Sequence, residues 1–250
     1  MTGPPVRIAM WSGPRNISTA LMRAFENRPD TVVTDEPLYG HYLRATGLDH
    51  PGREAVIAAQ PEGWRAVVAR LTGPVPDGRR VWYQKHMTHH MLPQIGRDWL
   101  AGLTNCFLIR DPRRVSASYV RTRAAPTLED LGLPQQLEIF EHLRAQGGRV
   151  PPVLDAGDVL AEPRRLLGLL CAAIGIPFSQ RMLAWPAGRR PSDGVWAPYW
   201  YASVWRSTGF RPARPQRAPL PLPPPRAALA EACRPYYERL REHRLGARAA

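Results

Sequence analysis

Three short stretches of this chain carry residue types whose spacing could bind an anion or move a proton. The first is Ser12-Gly13-Pro14-Arg15-Asn16-Ile17-Ser18-Thr19, which lies between a short apolar run and an amphipathic pattern. Orphan N–H groups at a helix start, together with serine and threonine hydroxyls, form an anion site. A nucleoside-triphosphate loop of the form GxxxxGK[ST] would need a second glycine and a lysine. Neither is present, and Arg15 is the cation. A plain strand–turn–helix junction with Ser18 near the N-cap would use the same residues. The second stretch is CFLIRDPRRVSASYVR, with Arg110 before an Asp111-Pro112 turn and Ser118 eight residues after Arg110. An arginine and a serine so spaced can converge on one phosphate; a local Arg110–Asp111 ion pair with Ser118 on the surface is the plainer alternative.

The third stretch, VWYQKHMTHHMLP, holds Lys85, His86, His89 and His90. Of the 34 basic residues Lys85 is the single lysine, and an ammonium differs from a guanidinium in size and pKa. Chance retention explains it equally well. A neutral imidazole can take a hydroxyl proton near pH 7. The histidines could instead form a surface cluster or a metal site, but neither HExxH nor a cysteine partner supports a metal. Glu36, in TDEPLYGHYL, is the rival base; a solvated acid before Pro37 is its bland counterpart. Tyr39, His41 and Tyr42 could line a pocket or pack a core. Trp196, Trp200 and Trp205 could cover a ligand or fill a loop-rich region.

These groups need a scaffold, and the periodicity predicts one. Strands are expected over Val6–Trp11, Thr31–Thr34, Val81–Gln84, Asn105–Ile109 and Val153–Asp155, each rich in β-branched or aromatic residues. Helices are expected over Ser18–Asn27, Arg53–Leu71, Arg113–Arg123, Leu128–Ala145 and Arg164–Ile174, the last ending at Gly175. Alternating strands and helices point to an α/β fold, a mainly parallel sheet flanked by helices. Ligands of such sheets sit at the carboxyl ends of the strands. The chemistry is therefore expected just after Trp11, Thr34, Gln84 and Ile109.

Composition narrows the classes. At 250 residues a single domain over 1–250 is the default, with 211–226 a proline-rich tether to a last helix, Ala227–Leu240. A binding motif for a proline-recognising module is the lesser reading of that tether. The net charge of +13 invites a nucleic-acid partner. The arginines are dispersed, however, which suits a small phosphorylated ligand better, so no nucleic-acid partner is expected. The longest apolar run, Leu166 to Ile176, is far short of the ~20 residues of a membrane helix. The N-terminus lacks a signal-peptide pattern, and the three cysteines are widely spaced without CxxC. Reduced thiols, a cytoplasmic location and no membrane partner are expected.

Taken together, the residues resemble the sulfotransferase family that uses 3′-phosphoadenosine 5′-phosphosulfate. Its Pro-Lys-x-Gly-Thr-Thr loop is matched by Pro14-Arg15-Asn16-Ile17-Ser18-Thr19, with Arg15 for lysine and Ile17 for glycine. Its Arg-x-Pro signature, followed by a serine eight residues after the arginine, is matched by Arg110, Pro112 and Ser118. The stretch VLDAGDVLAEPRRLLGLLCAAIGIPF also looks like the family's segment ending in Leu-Gly-Ile-Pro, so the resemblance spans about Val6 to Phe178, with a weaker tail.

The resemblance implies a P-loop-like sulfotransferase fold and transfer of a sulfuryl group from the phosphosulfate to a hydroxyl or similar small-molecule acceptor. It implies that Pro14 to Thr19 hold the 5′-phosphate and that Arg110 and Ser118 hold the 3′-phosphate. Arg206-Ser207-Thr208-Gly209 stands where the family closes the nucleotide site with Arg-Lys-Gly. It places Arg15 and Lys85 near the leaving oxygen and His86 or Glu36 as the base. The family's histidine two residues after the lysine is Met87 here, in a stretch one residue shorter than the pattern; His86 is the nearest substitute, with His89 and His90 as competitors. A sulfuryl group carries less charge than a terminal phosphoryl group, so cationic side chains can serve without metal. A P-loop kinase or nucleotide hydrolase, and a non-catalytic nucleotide- or nucleic-acid-binding module, are the alternatives.

Overall fold

A computed structural model of the chain describes residues 3–119, 126–211 and 221–247. Among them five strands form one all-parallel sheet: β1 (Val6–Ser12), β2 (Thr31–Asp35), β3 (Val81–Met87), β4 (Thr104–Ile109) and β5 (Val153–Asp155). Their order across the sheet is β2-β3-β1-β4-β5. In register, Met10 lies beside Lys85 on one side and Cys106 on the other. All five strands fall where β-branched and aromatic runs predict them. β3 runs three residues further than expected, which carries Lys85, His86 and Met87 into the sheet.

Helices cover both faces. Ile8, Met10, Tyr83 and Leu108 pack against the helices Ser18–Glu26 and Pro163–Ala173. Ala9, Trp11, Trp82 and Phe107 pack against Trp64–Thr72, Leu133–Ala145 and Pro224–Arg241. Parallel strands buried on both faces need apolar residues at nearly every position, which is why these runs barely alternate in hydropathy. The C-terminal helix is tied to the sheet edge by Tyr237, whose hydroxyl donates to Asp155 at 2.7 Å, and by Leu245 N–H donating to Val153 O at 2.8 Å.

Two expected helices are broken. Arg53–Leu71 is two helices, Arg53–Ala59 and Trp64–Thr72, because Pro61 and Gly63 interrupt the turn between them. Leu128–Ala145 divides at Gly132, which takes φ 70°. A Cβ there would meet Thr88 Oγ1 at 2.4 Å, and that hydroxyl already lies 2.7 Å from Gly132 O and 3.3 Å from Ser12 O. Gly132→Ala is expected to cost about 1–2 kcal/mol from the left-handed backbone before the clash is counted, readable by urea denaturation. The helix expected over Arg113–Arg123 is Pro112–Tyr119, and 120–125 lie outside the described residues. Of the proline-rich 211–226, residues 212–220 also lie outside them; the helix it leads to begins at Pro224.

Candidate functional site

A cavity of about 410 Å³ opens at the carboxyl ends of β1, β2, β3 and β4. Pro14 to Thr19, Glu36, Lys85, Arg110 and Ser118 all border it. Residues a hundred positions apart meet here because the sheet places β1 beside β4. Arg15 Nε donates to Ser118 Oγ at 3.0 Å, and Arg110 Nη1 donates to Arg15 O at 2.6 Å. Asn16 Nδ2 binds Leu108 O at 3.2 Å, fastening the loop to β4. Burial, then Arg114 and Arg15, lower the Arg110 pKa from its ordinary value. Crowded guanidinium groups beside hydroxyls are a site that an anion would relieve.

The loop backbone accounts for Ile17. It caps the helix Ser18–Glu26 at φ 59°, and Arg15 sits at φ 62°. An isoleucine in the left-handed region costs about 1–2 kcal/mol, offset in part by packing its side chain, half-buried, against the core on that face of the sheet. The residue thus adopts a conformation natural to glycine while carrying a side chain that anchors the loop. The helix begins at Ser18, where the periodicity predicts it, with Ile17 at the N-cap.

At the ends of β2 and β3 lies a buried ionic cluster. Lys85, 1% exposed, donates to Asp35 Oδ1 at 2.8 Å, Glu36 Oε1 at 2.6 Å and Tyr201 OH at 2.7 Å. Tyr201 OH in turn donates to Asp35 Oδ2 at 2.6 Å. All three ammonium hydrogens are thereby committed. Burial alone would lower the Lys85 pKa, but Asp35 and Glu36 outweigh it and hold it well above the usual lysine value. Glu36 borders the cavity; burial raises its carboxyl pKa, Lys85 opposes that rise and Asp35 adds to it.

His86 is not at the cavity. Strand side chains alternate between faces, so Lys85 and Met87 border the cavity while His86 enters the opposite layer. There it stacks on Trp11 at 4.3 Å and binds Gln84 Oε1 at 3.2 Å, and burial pushes its pKa down to about 3. This corrects the expected substitute base. His89 and His90 do border the cavity. His90 lies flat against Tyr39 at 4.8 Å, and burial first, then its charged and imidazole neighbours, hold its pKa well below 6.5.

Gly209 borders the cavity, but Arg206 is exposed and does not; Arg211 is the arginine of that segment that does. This too corrects the expectation. Tyr39 and Trp200 also border it, whereas Tyr42 and Trp196 are buried in an adjoining apolar cluster and Trp205 donates to Asp193. Half-buried His41 is not on the cavity wall. Asp35, His50 and Tyr201 were not anticipated. The pair Asp35-Glu36 was visible as two adjacent acids after a strand, but nothing in the spacing marks Tyr201. Among the described residues no group of three or more His, Cys, Asp or Glu could hold a metal ion. Nor is any helix among them long and apolar enough to cross a membrane; Cys106, Cys171 and Cys233 are buried free thiols.

Such a site can bind a multiply charged anion at one end and withdraw a proton at the other. The fold has been seen in a sulfotransferase from Alicyclobacillus acidocaldarius, 14% identical, TM-score 0.57, with 98% of this chain and 97% of that one covered. A sulfotransferase domain from the olefin synthase of Synechococcus PCC 7002 is 19% identical, TM-score 0.55, covering 93% and 95%. In sequence the chain is 37% identical over 240 residues to branched-chain-amino-acid aminotransferase-like protein 1 of Arabidopsis thaliana and 34% identical over 237 residues to protein 2. The alignments take in 96% and 94% of this chain, but it spans less than half the length of those relatives, 42% and 41%. The family described as "Sulfotransferase domain" matches residues 6–244. With nearly the whole chain matched and the sulfotransferase fold formed around the cavity, this protein belongs to the sulfotransferase domain family.

Proposed function

We propose that the chain transfers a sulfuryl group from 3′-phosphoadenosine 5′-phosphosulfate to the hydroxyl of a small-molecule acceptor. The observation that carries this reading is the junction of the two arginine–hydroxyl stretches, Arg15 with Ser118 and Arg110 with the Arg15 backbone, on a cavity that also contains Glu36. The donor carries two separate phosphate groups, and two separate cationic elements suit it. The loop from Pro14 to Thr19 would take the 5′-phosphate, and Arg110 with Ser118 the 3′-phosphate. Arg211 and Gly209 would close over the nucleotide from the C-terminal segment.

In the reaction the acceptor oxygen attacks sulfur as the bond from sulfur to the phosphate oxygen breaks. The acceptor proton passes to the Glu36 carboxylate, and adenosine 3′,5′-bisphosphate leaves. Negative charge grows on the leaving oxygen, and Arg15 at the loop is the cation that stabilises it. Lys85, with its hydrogens already bonded, holds Glu36 in place. His89 and His90 remain on the acceptor side, and His90 stays uncharged at neutral pH.

Calorimetry with adenosine 3′,5′-bisphosphate, adenosine 5′-phosphate and ATP–Mg²⁺ tests the reading. Tightest binding is expected for the bisphosphate. Arg110→Ala should weaken it by at least about tenfold, as loss of a charge-assisted bond does, and weaken adenosine 5′-phosphate distinctly less, through the lost brace on Arg15 O alone. A wild-type preference for ATP–Mg²⁺ would overturn the proposal in favour of phosphoryl chemistry.

A further inference from the structure

The C-terminal segment that borders the cavity, with Ser203, Val204, Ser207, Gly209, Phe210 and Arg211 on its wall, contains little regular structure of its own. Its attachment comes from elsewhere. Asp193, 6% exposed at its side chain, pairs through Oδ1 with Arg23, 1% exposed. Its other oxygen accepts from Trp205 Nε1 and from Arg190 N, each at 2.9 Å. Arg23 also donates to Glu26 at 2.9 Å, and Glu26 takes the Ser192 hydroxyl.

Downstream of Trp205 the contacts continue toward the cavity. Trp205 O accepts from Gly188 N at 2.8 Å, Trp185 Nε1 donates to Ser207 Oγ at 3.1 Å, and Trp185 N donates to Thr208 O at 3.0 Å. Arg23 belongs to the helix Ser18–Glu26, whose first turn carries Ser18 and Thr19. One rigid helix therefore presents the anion loop at its start and holds the covering segment further along.

We propose that the buried Arg23–Asp193 pair is a positioning device that pins residues 203–211 over the donor end of the cavity, so that donor affinity depends on a contact outside the cavity wall. The part concerning donor affinity rests on the function proposed above; the pinning itself does not. A buried carboxylate with three donors fixes the indole of Trp205 in one orientation, and the covering backbone follows it. A charge pair of this kind positions more reliably than it stabilises, because desolvation offsets much of its attraction.

Two variants test this. Asp193→Asn keeps the side-chain shape and removes the charge; Trp205→Phe leaves the ion pair and removes the indole donor together with part of the ring that Arg189 covers at 4.6 Å. In the ligand-free chain, amide hydrogen exchange of 203–209 is expected to speed up at least about tenfold in both, while β1, β3 and β4 are unchanged. The donor KM should rise about tenfold, with kcat within a factor of two, because the covering segment acts on binding rather than chemistry. Unchanged exchange at 203–209 would overturn the pin. Faster exchange with an unchanged donor KM would overturn its role in donor binding. A wild-type chain that fails to bind adenosine 3′,5′-bisphosphate would instead remove the proposed function, with the exchange result still deciding the pin.

Discussion

Replacing Glu36 with glutamine is expected to lower sulfuryl transfer by about 10²- to 10⁴-fold, the range for loss of a general base, while adenosine 3′,5′-bisphosphate still binds. Backbone contacts hold this residue in place. Glu36 sits at φ 41°, a conformation unusual for a side-chain-bearing residue. Its N–H donates to Lys85 O at 2.9 Å, and its carbonyl accepts from Gln60 Nε2 at 3.1 Å. Gln60 is fixed in turn by Gly40 N at 2.7 Å. Strain held by such surroundings is characteristic of functional positions. A base must be deprotonated to act, and burial raises the Glu36 carboxyl pKa above the usual 4.5. Activity should therefore fall as the pH drops through that raised value, and the acid limb of the kcat profile should lie above the ordinary carboxylate range. Glu36→Gln should abolish that limb. Near-normal turnover in Glu36→Gln, with a large loss in His90→Gln, would move the base to His90.

Replacing Lys85 with methionine is expected to destabilise the fold by about 3–5 kcal/mol, the cost of leaving a buried charge without its partner. The substitution keeps the stem volume but strands Asp35 and Glu36 side by side, with Tyr201 the remaining polar contact of the four. Urea denaturation measures the loss. Asp35→Asn added to Lys85→Met should recover part of it, since one of the two uncompensated carboxylates is then gone. A loss below about 1 kcal/mol would contradict the reading, because that is the scale of an exposed ion pair. The same geometry bears on chemistry. The ammonium of this chain's only lysine is directed at three protein oxygens, so activity lost in a Lys85 variant would come first through a displaced Glu36.

The parallel sheet and the strand–loop–helix junction after β1 were legible because their signals are local. Five β-branched and aromatic runs separated by helical periodicity allow few arrangements other than a parallel sheet, and the loop and Arg110–Ser118 follow the strands at whose carboxyl ends ligands bind. Burial on both faces, by contrast, erased the alternation that would have told which side of β3 each residue occupies. Lys85 and His86 are neighbours in sequence, yet one reaches the cavity rim through its ion cluster and the other is stacked on Trp11 in the opposite layer. Arg206 and Arg211 are separated by one short loop, and the antiparallel bridge between Ala184 and Gly209 accompanies the arrangement that leaves Arg211 rather than Arg206 on the cavity wall.

By itself, then, the sequence determined the α/β scaffold and the end of the sheet at which the Pro14–Thr19 loop and Arg110 lie, whereas the contact of Arg15 with Ser118 waited on β1 lying beside β4. The scaffold and that end follow from periodicity and from residues at strand ends, which act within a few positions of one another. The tertiary structure alone decided that Lys85 is a partner for Asp35, Glu36 and Tyr201, that His86 lies outside the site, and that Asp193 reaches Arg23. The first and last are contacts between elements distant in the chain and the second is a choice of sheet face; each takes its energy only once packing has removed the groups from water.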